Sequence, residues 1–175
     1  YATNPYKEQL KSYITNYYKG MFGPPDESSF SLNEDLTTDI SQVSLEENGL
    51  LTAPYSEEEL QKAIFQMECN KAPGPDGFPA EFYQTFWDTI KSDLLDLFSD
   101  LHIGQLELFR LNFGEVILLP KINEAERIQQ YRPICLLNVS FKIFTKVATI
   151  RLNTVADHVV LPSQTAFMQG RNILD

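Results

Sequence analysis

The side chains best suited to chemistry in this chain are bases in its second part. Lys121, Arg132, Lys142, Lys146, Arg151 and Arg171 all fall in residues 101–175, which hold 8 Lys and Arg against 6 Asp and Glu, net +2. Residues 1–100 hold 6 against 18, net −12, and the whole chain carries a formal charge of −10. A polyanionic partner is therefore expected to meet the second part, where ammonium and guanidinium groups can be offered to phosphate. The competing reading is a solvated helical surface of acids with bases scattered elsewhere, their stems lying on apolar ground.

Other chemistries find no foothold. There is no Ser/His/Asp order, phosphate-cradling loop or zinc signature, and Gly74-Pro75-Asp76-Gly77 is too rich in proline for a dinucleotide loop. Cys69 and Cys135 are too few and too far apart for a zinc knuckle, and are expected to be reduced and buried. His102 and His158 have no companion at metal-ligand spacing and are expected at surfaces or helix ends. No metal or other cofactor is expected to bind. Without a long apolar run or a basic-then-apolar leader, the chain reads as soluble and intracellular, with no membrane partner. A start at Tyr1 and an end at Asp175 suggest a partial product.

The elements that must position these bases follow from periodicity. Leu10, Ile14, Tyr17, Tyr18 and Met21 recur at helical spacing, and Gly20, Gly23, Pro24 and Pro25 stop that pattern. Residues 23–55 read as an irregular acidic linker with room for a short helix. Ser56 and Glu59 form a capping box ahead of Leu60, Ile64, Phe65 and Met67. The run from Lys71 to Gly77 cannot continue that helix, because its prolines lack amide donors and its glycines favour turns. Phe82, Phe86, Trp87, Ile90, Leu94, Leu97, Phe98 and Leu101 predict one long helix or two short ones, with Asp88, Asp93, Asp96 and Asp100 facing water. Tyr83, Phe86 and Trp87 at this spacing read as core rather than as base-stacking platforms.

Val116-Ile117-Leu118-Leu119 and Ile134-Cys135-Leu136-Leu137 predict two strands, near 115–120 and 133–137, joined as an elaborated hairpin. Asn138 is expected to cap a helix from about Val139 to His158, on which Lys142 and Lys146 lie one turn apart. Phe167 and Met168 are expected to dock on a core.

Several segments then match in wording and order. Asn70-Lys71-Ala72-Pro73-Gly74-Pro75-Asp76-Gly77-Phe78 with Glu81-Phe82-Tyr83, then Leu119-Pro120-Lys121, Tyr131-Arg132-Pro133-Ile134, Leu137-Asn138 and Lys142-Ile143, and finally Ser163-Gln164, Ala166-Phe167, Gly170-Arg171 and Asp175 resemble the reverse transcriptases of non-long-terminal-repeat (LINE-type) retrotransposons. The resemblance covers roughly residues 56–175. It implies an α+β fold: the fingers and the beginning of the palm of a right-handed polymerase, helix-rich with a β-hairpin, its palm sheet incomplete. Residues 1–55 would be a connector upstream of the polymerase, and 56–175 the N-terminal part of the polymerase domain.

The resemblance also implies roles. Lys121 and Arg132, on opposite arms of the hairpin, resemble fingers bases that meet an incoming triphosphate. Lys142, Lys146 and Arg151 would meet a template backbone, and Gln164, Gly170 and Arg171 match a segment that approaches template and primer. The partners implied are an RNA template, a DNA primer, deoxynucleoside triphosphates and the palm and thumb of the same polyprotein. Mg²⁺ would belong to the complete enzyme, held by carboxylates that the family carries beyond the stretch matched here. Asp175 is not one of them, so the chain alone is predicted inactive. The alternatives are a non-catalytic nucleic-acid-binding module or an inert relic of a decayed element.

Overall fold

A computed structural model describes residues 5–23, 41–166, 168, 170 and 171. Among these, helices α1 (Pro5–Met21), α2 (Leu45–Leu51), α3 (Glu57–Phe65), α4 (Ala80–Thr85) and α5 (Trp87–His102) precede strands β1 (Gly114–Pro120) and β2 (Tyr131–Leu137), and α6 (Val139–Val159) follows. Short 3-10 turns lie at Leu108–Arg110 and Ile128–Gln130. The result is a helix-rich α+β chain whose described sheet is one open, two-stranded hairpin. None of the described helices is long and apolar enough to cross a membrane.

The chain divides into two compact units. Of the described residues, 5–23 and 119–132 belong to one, and those of 41–118 and 133–171 to the other. In the larger unit the core is helical. Leu60, Ala63 and Ile64 of α3, Ala80 and Tyr83 of α4, Trp87, Leu94 and Phe98 of α5, and Val139, Ile143, Phe144 and Val147 of α6 form one buried cluster. The spacings are those of a 3.6-residue repeat, so each helix turns one stripe inward. The Phe98 and Phe144 rings stack with centroids 4.0 Å apart, and Tyr55 meets Phe98 edge-on at 5.0 Å. Asp88, Asp93, Asp96 and Asp100 face water, as expected.

Local chemistry sets the boundaries. Ser56 accepts from the Glu59 amide while the Glu59 carboxylate accepts from the Ser56 amide, and Ser44 and Glu47 do the same for α2. The long apolar pattern after Pro79 breaks at Phe86, which ends α4 and precedes α5.

Three expectations need correction, and a fourth is not tested. Asn138 precedes α6 but its side chain caps nothing there; its Oδ1 accepts from the Asp76 amide at 3.2 Å instead. Cys69 and Cys135 are both exposed, because one sits in the turn after α3 and the other on an uncovered strand. Phe65 and Phe86, at 54% and 48% exposure, stand off the core stripes of their helices. Phe167 lies outside the described residues.

The smaller unit contains α1, which buries no residue, and the hairpin tip. The tip is held by its own bonds. Gln130 Oε1 accepts from the amides of Glu126 and Arg127, both at 2.8 Å, and the Tyr131 hydroxyl donates to the Ala125 carbonyl at 2.7 Å. Ile128 is its buried apolar anchor.

Candidate nucleic-acid and nucleotide contacts

Strand pairing decides where the hairpin bases stand. The Lys121 amide donates to the Gln130 carbonyl at 2.7 Å, which sets these two residues opposite each other. Lys121 directly follows β1 and Arg132 is the second residue of β2, so the two stand on opposite arms at the same end of the hairpin. Both residues are exposed. Lys121 is tethered, its Nζ donating to the Gln129 carbonyl at 2.8 Å. Arg132 has no hydrogen-bond or ion-pair partner among the described residues, so its planar fork of donors is available to a ligand.

Lys142 and Lys146 stand one turn apart on α6, half-buried, and neither has a partner among the described residues. Their stems line a groove of about 310 Å³ whose remaining lining includes the apolar Met67, Ala72, Ala80 and Val139. Gln66, Glu68 and Lys71 also border it. Lys71 is paired with Glu68 at 2.8 Å; the hydrogen bond to that carboxylate raises the lysine above its ordinary range and lowers Glu68 below its own.

Arg151 has a different environment. Its Nε and Nη2 hold the two Glu59 carboxylate oxygens at 2.7 Å each, while Nη1 donates to the carbonyls of Leu51 and Ala53 and Nη2 also to that of Pro54. These are all five of its N–H donors. The guanidinium also lies 4.3 Å from the Tyr55 ring centre, and only 10% of the side chain is exposed. Arg151 therefore joins α6 to the segment between α2 and α3, and no donor is left for a template phosphate. The hydrogen bond from Arg151 holds Glu59 below the ordinary carboxylate range, although burial opposes the shift.

Arg171 is likewise engaged. It donates to the carbonyls of Val160 and Leu161 at 3.3 and 2.8 Å and to Gln164 and Asp157 at 3.1 and 3.2 Å, closing the C-terminal end of α6. Gln164 donates to the Ala166 carbonyl at 3.1 Å, and Gly170 takes a positive φ of 77°. Gln164 and Arg171 thus meet at one end of α6, apart from the groove lysines near its beginning.

One arrangement was not anticipated. Gly74 is so close to the β2–α6 junction that a Cβ there would lie 2.4 Å from the Asn138 backbone nitrogen and 2.5 Å from its Oδ1. With the Asp76–Asn138 bond, this latches the Pro-Gly-Pro-Asp-Gly loop onto the start of α6, 62 residues further along. The signals were visible as two separate stretches, Gly74 to Gly77 and Leu137-Asn138; their contact was not. Among the described residues, no group of three or more His, Cys, Asp or Glu side chains could hold a metal ion.

No protein-family model matches the chain. It is 32% identical over 169 residues, 96% of its length, to the transposon TX1 uncharacterized 149 kDa protein of Xenopus laevis. It is 26% identical over 121 residues, 67% of its length, to the retrovirus-related Pol polyprotein from type-1 retrotransposable element R1 of Bradysia coprophila. The chain spans 13% and 12% of those two proteins. With its helix-rich, single-hairpin architecture, the chain is a low-identity homologue of proteins encoded by transposable elements, one of them a retrotransposon Pol polyprotein.

Proposed function

We propose that this chain is the fingers and the beginning of the palm of a non-long-terminal-repeat retrotransposon reverse transcriptase. In this reading Lys121 and Arg132 meet the triphosphate of an incoming deoxynucleotide, and Lys142 and Lys146 meet the phosphates of the RNA template or DNA primer. Residues 1–55 act as a connector. The carboxylates that seat Mg²⁺ come from elsewhere in the longer protein, so the chain by itself binds without polymerising.

The observation that carries the reading is the Arg132 guanidinium, exposed and without a partner among the described residues, at the same end of the hairpin as Lys121. A planar fork beside a point charge suits the oxygens of a polyphosphate, which accept charge-assisted hydrogen bonds from both. Arg151 and Arg171, whose donors are turned inward, are left out of the interface; Gln164 and Gly170 stay in it as residues that approach the template.

The test is kinetic. In a polymerase extended through its catalytic carboxylates, Arg132→Ala raises the nucleotide KM about tenfold, as expected when a charge-assisted contact worth roughly 1.5 kcal/mol is lost. Arg132→Lys recovers part of it. An unchanged KM in a folded Arg132→Ala enzyme removes the triphosphate role.

A further inference from the structure

The groove beside α6 has a lining that phosphate contact alone does not use. Cations suffice to hold a polynucleotide backbone, yet Met67, Ala72, Ala80 and Val139 add an apolar surface next to Lys142 and Lys146. Its size, about 310 Å³, sits at the small end of the range of small-molecule sites, about 300–1,000 Å³. That is room for one base with its sugar and too little for a double helix.

The groove wall is also built rather than loose. Gln84 Nε2 donates to the carbonyls of Ile64 and Met67 at 3.0 and 3.1 Å, fixing the turn that ends α3. Glu81 accepts from the Asn70 amide, and the Asp76–Asn138 bond ties the following loop to α6. Such a wall need not be ordered when a ligand arrives. The charge is complementary to a polyanion: Lys71 is already answered by Glu68, whereas Lys142 and Lys146 have no partner among the described residues.

We infer that this groove accepts one unstacked base of a single-stranded polynucleotide, its face against Met67 and Ala72 and its flanking phosphate on Lys142 and Lys146. The inference rests on the proposed nucleic-acid role and adds a preference: single strand over duplex, because a paired base must first be pulled from its stack.

The experiment uses the 175-residue chain and three fluorescent probes: an oligoribonucleotide of about 12 nucleotides, within common single-strand site sizes, an all-abasic phosphodiester strand of equal length, and the matching duplex. The base-bearing strand should bind at least about fivefold more tightly than the abasic strand and the duplex, as expected when a base leaves water for an apolar surface. Ala72→Leu, at an exposed loop position, fills the groove; it should bring the base-bearing strand down to the abasic level and leave the abasic strand unchanged. Equal binding of base-bearing and abasic strands by the unaltered chain overturns the inference while leaving a phosphate-contacting surface intact. Failure of the unaltered chain to bind any probe overturns that underlying reading as well. Competition by poly-glutamate as effective as that by the base-bearing strand assigns the groove to acidic polypeptides and also overturns the inference.

Discussion

Arg151 and Arg132 are the same side chain in two opposite settings. Arg151 is a bolt within the helical unit, every donor used on Glu59 and three backbone carbonyls. Arg132 stands on an exposed strand with no partner among the described residues. A basic residue reports on function only after its donors have been counted. By that count the α6 bases separate too: Lys142 and Lys146 are free to act outward, while Arg151 is spent inside.

The contrast predicts a graded series of effects. The largest is that of Arg151→Ala, which leaves Glu59 without its partner and three carbonyls without donors. A pair of this kind buried outright costs about 3–5 kcal/mol to break; with 32% of the Glu59 side chain exposed, roughly 2–4 kcal/mol is expected. Chemical denaturation should show the loss, and Arg151→Lys should restore little of it, because an ammonium cannot span five acceptors. If Arg151→Ala melts like the unaltered chain, the bolt does not exist.

Gly74→Ala comes next. Its Cβ would overlap the backbone at Asn138, which cannot rotate away as a side-chain tip can. A cost of about 1–3 kcal/mol is expected, as in other overpacked sites. Gly77→Ala offers a control in kind: nothing crowds its Cβ, so any cost there comes from the positive φ of 78° alone. Equal stability of Gly74→Ala and the unaltered chain would show that the latch opens freely. Arg132→Ala inverts the pattern, with the melting temperature nearly unchanged and stability within about 0.5 kcal/mol.

A further effect concerns pH. The hydrogen bond from Arg151 lowers the folded-state pKa of Glu59 below its ordinary 4.5. The stability it contributes is therefore fully present above that ordinary value and is lost as pH falls through the folded pKa. Glu59→Gln should flatten that part of the acid-unfolding curve. A curve of unchanged slope below pH 4.5 would assign the acid sensitivity to other carboxylates.

Much of this frame was legible in the residues. Ser56 and Glu59 announced α3, β-favouring runs announced both strands, and the stripe from Val139 onward announced α6. The segment read as linker left room for a short helix, and α2 lies there behind the Ser44–Glu47 box; its polar neighbours hid only its position. Other features depend on contacts distant in sequence. The Arg151–Glu59 pair closes over 92 residues, and no local spacing encodes it. Asn138 looked like a helix cap because Asn is a good one, but the Asp76 amide competes for the same oxygen and wins it. The exposure of Cys135 follows from a hairpin with no third strand upon it among the described residues. Composition cannot reveal that.

The central claim is that Lys142 and Lys146 meet polynucleotide phosphates while Arg151 holds the fold. The most direct test is the salt dependence of single-stranded RNA binding by the chain with Lys142→Gln and Lys146→Gln together. Neutralising two phosphate contacts should lower the slope of log K against log salt by about 1.4, with the melting temperature unchanged. A slope equal to that of the unaltered chain would contradict the account.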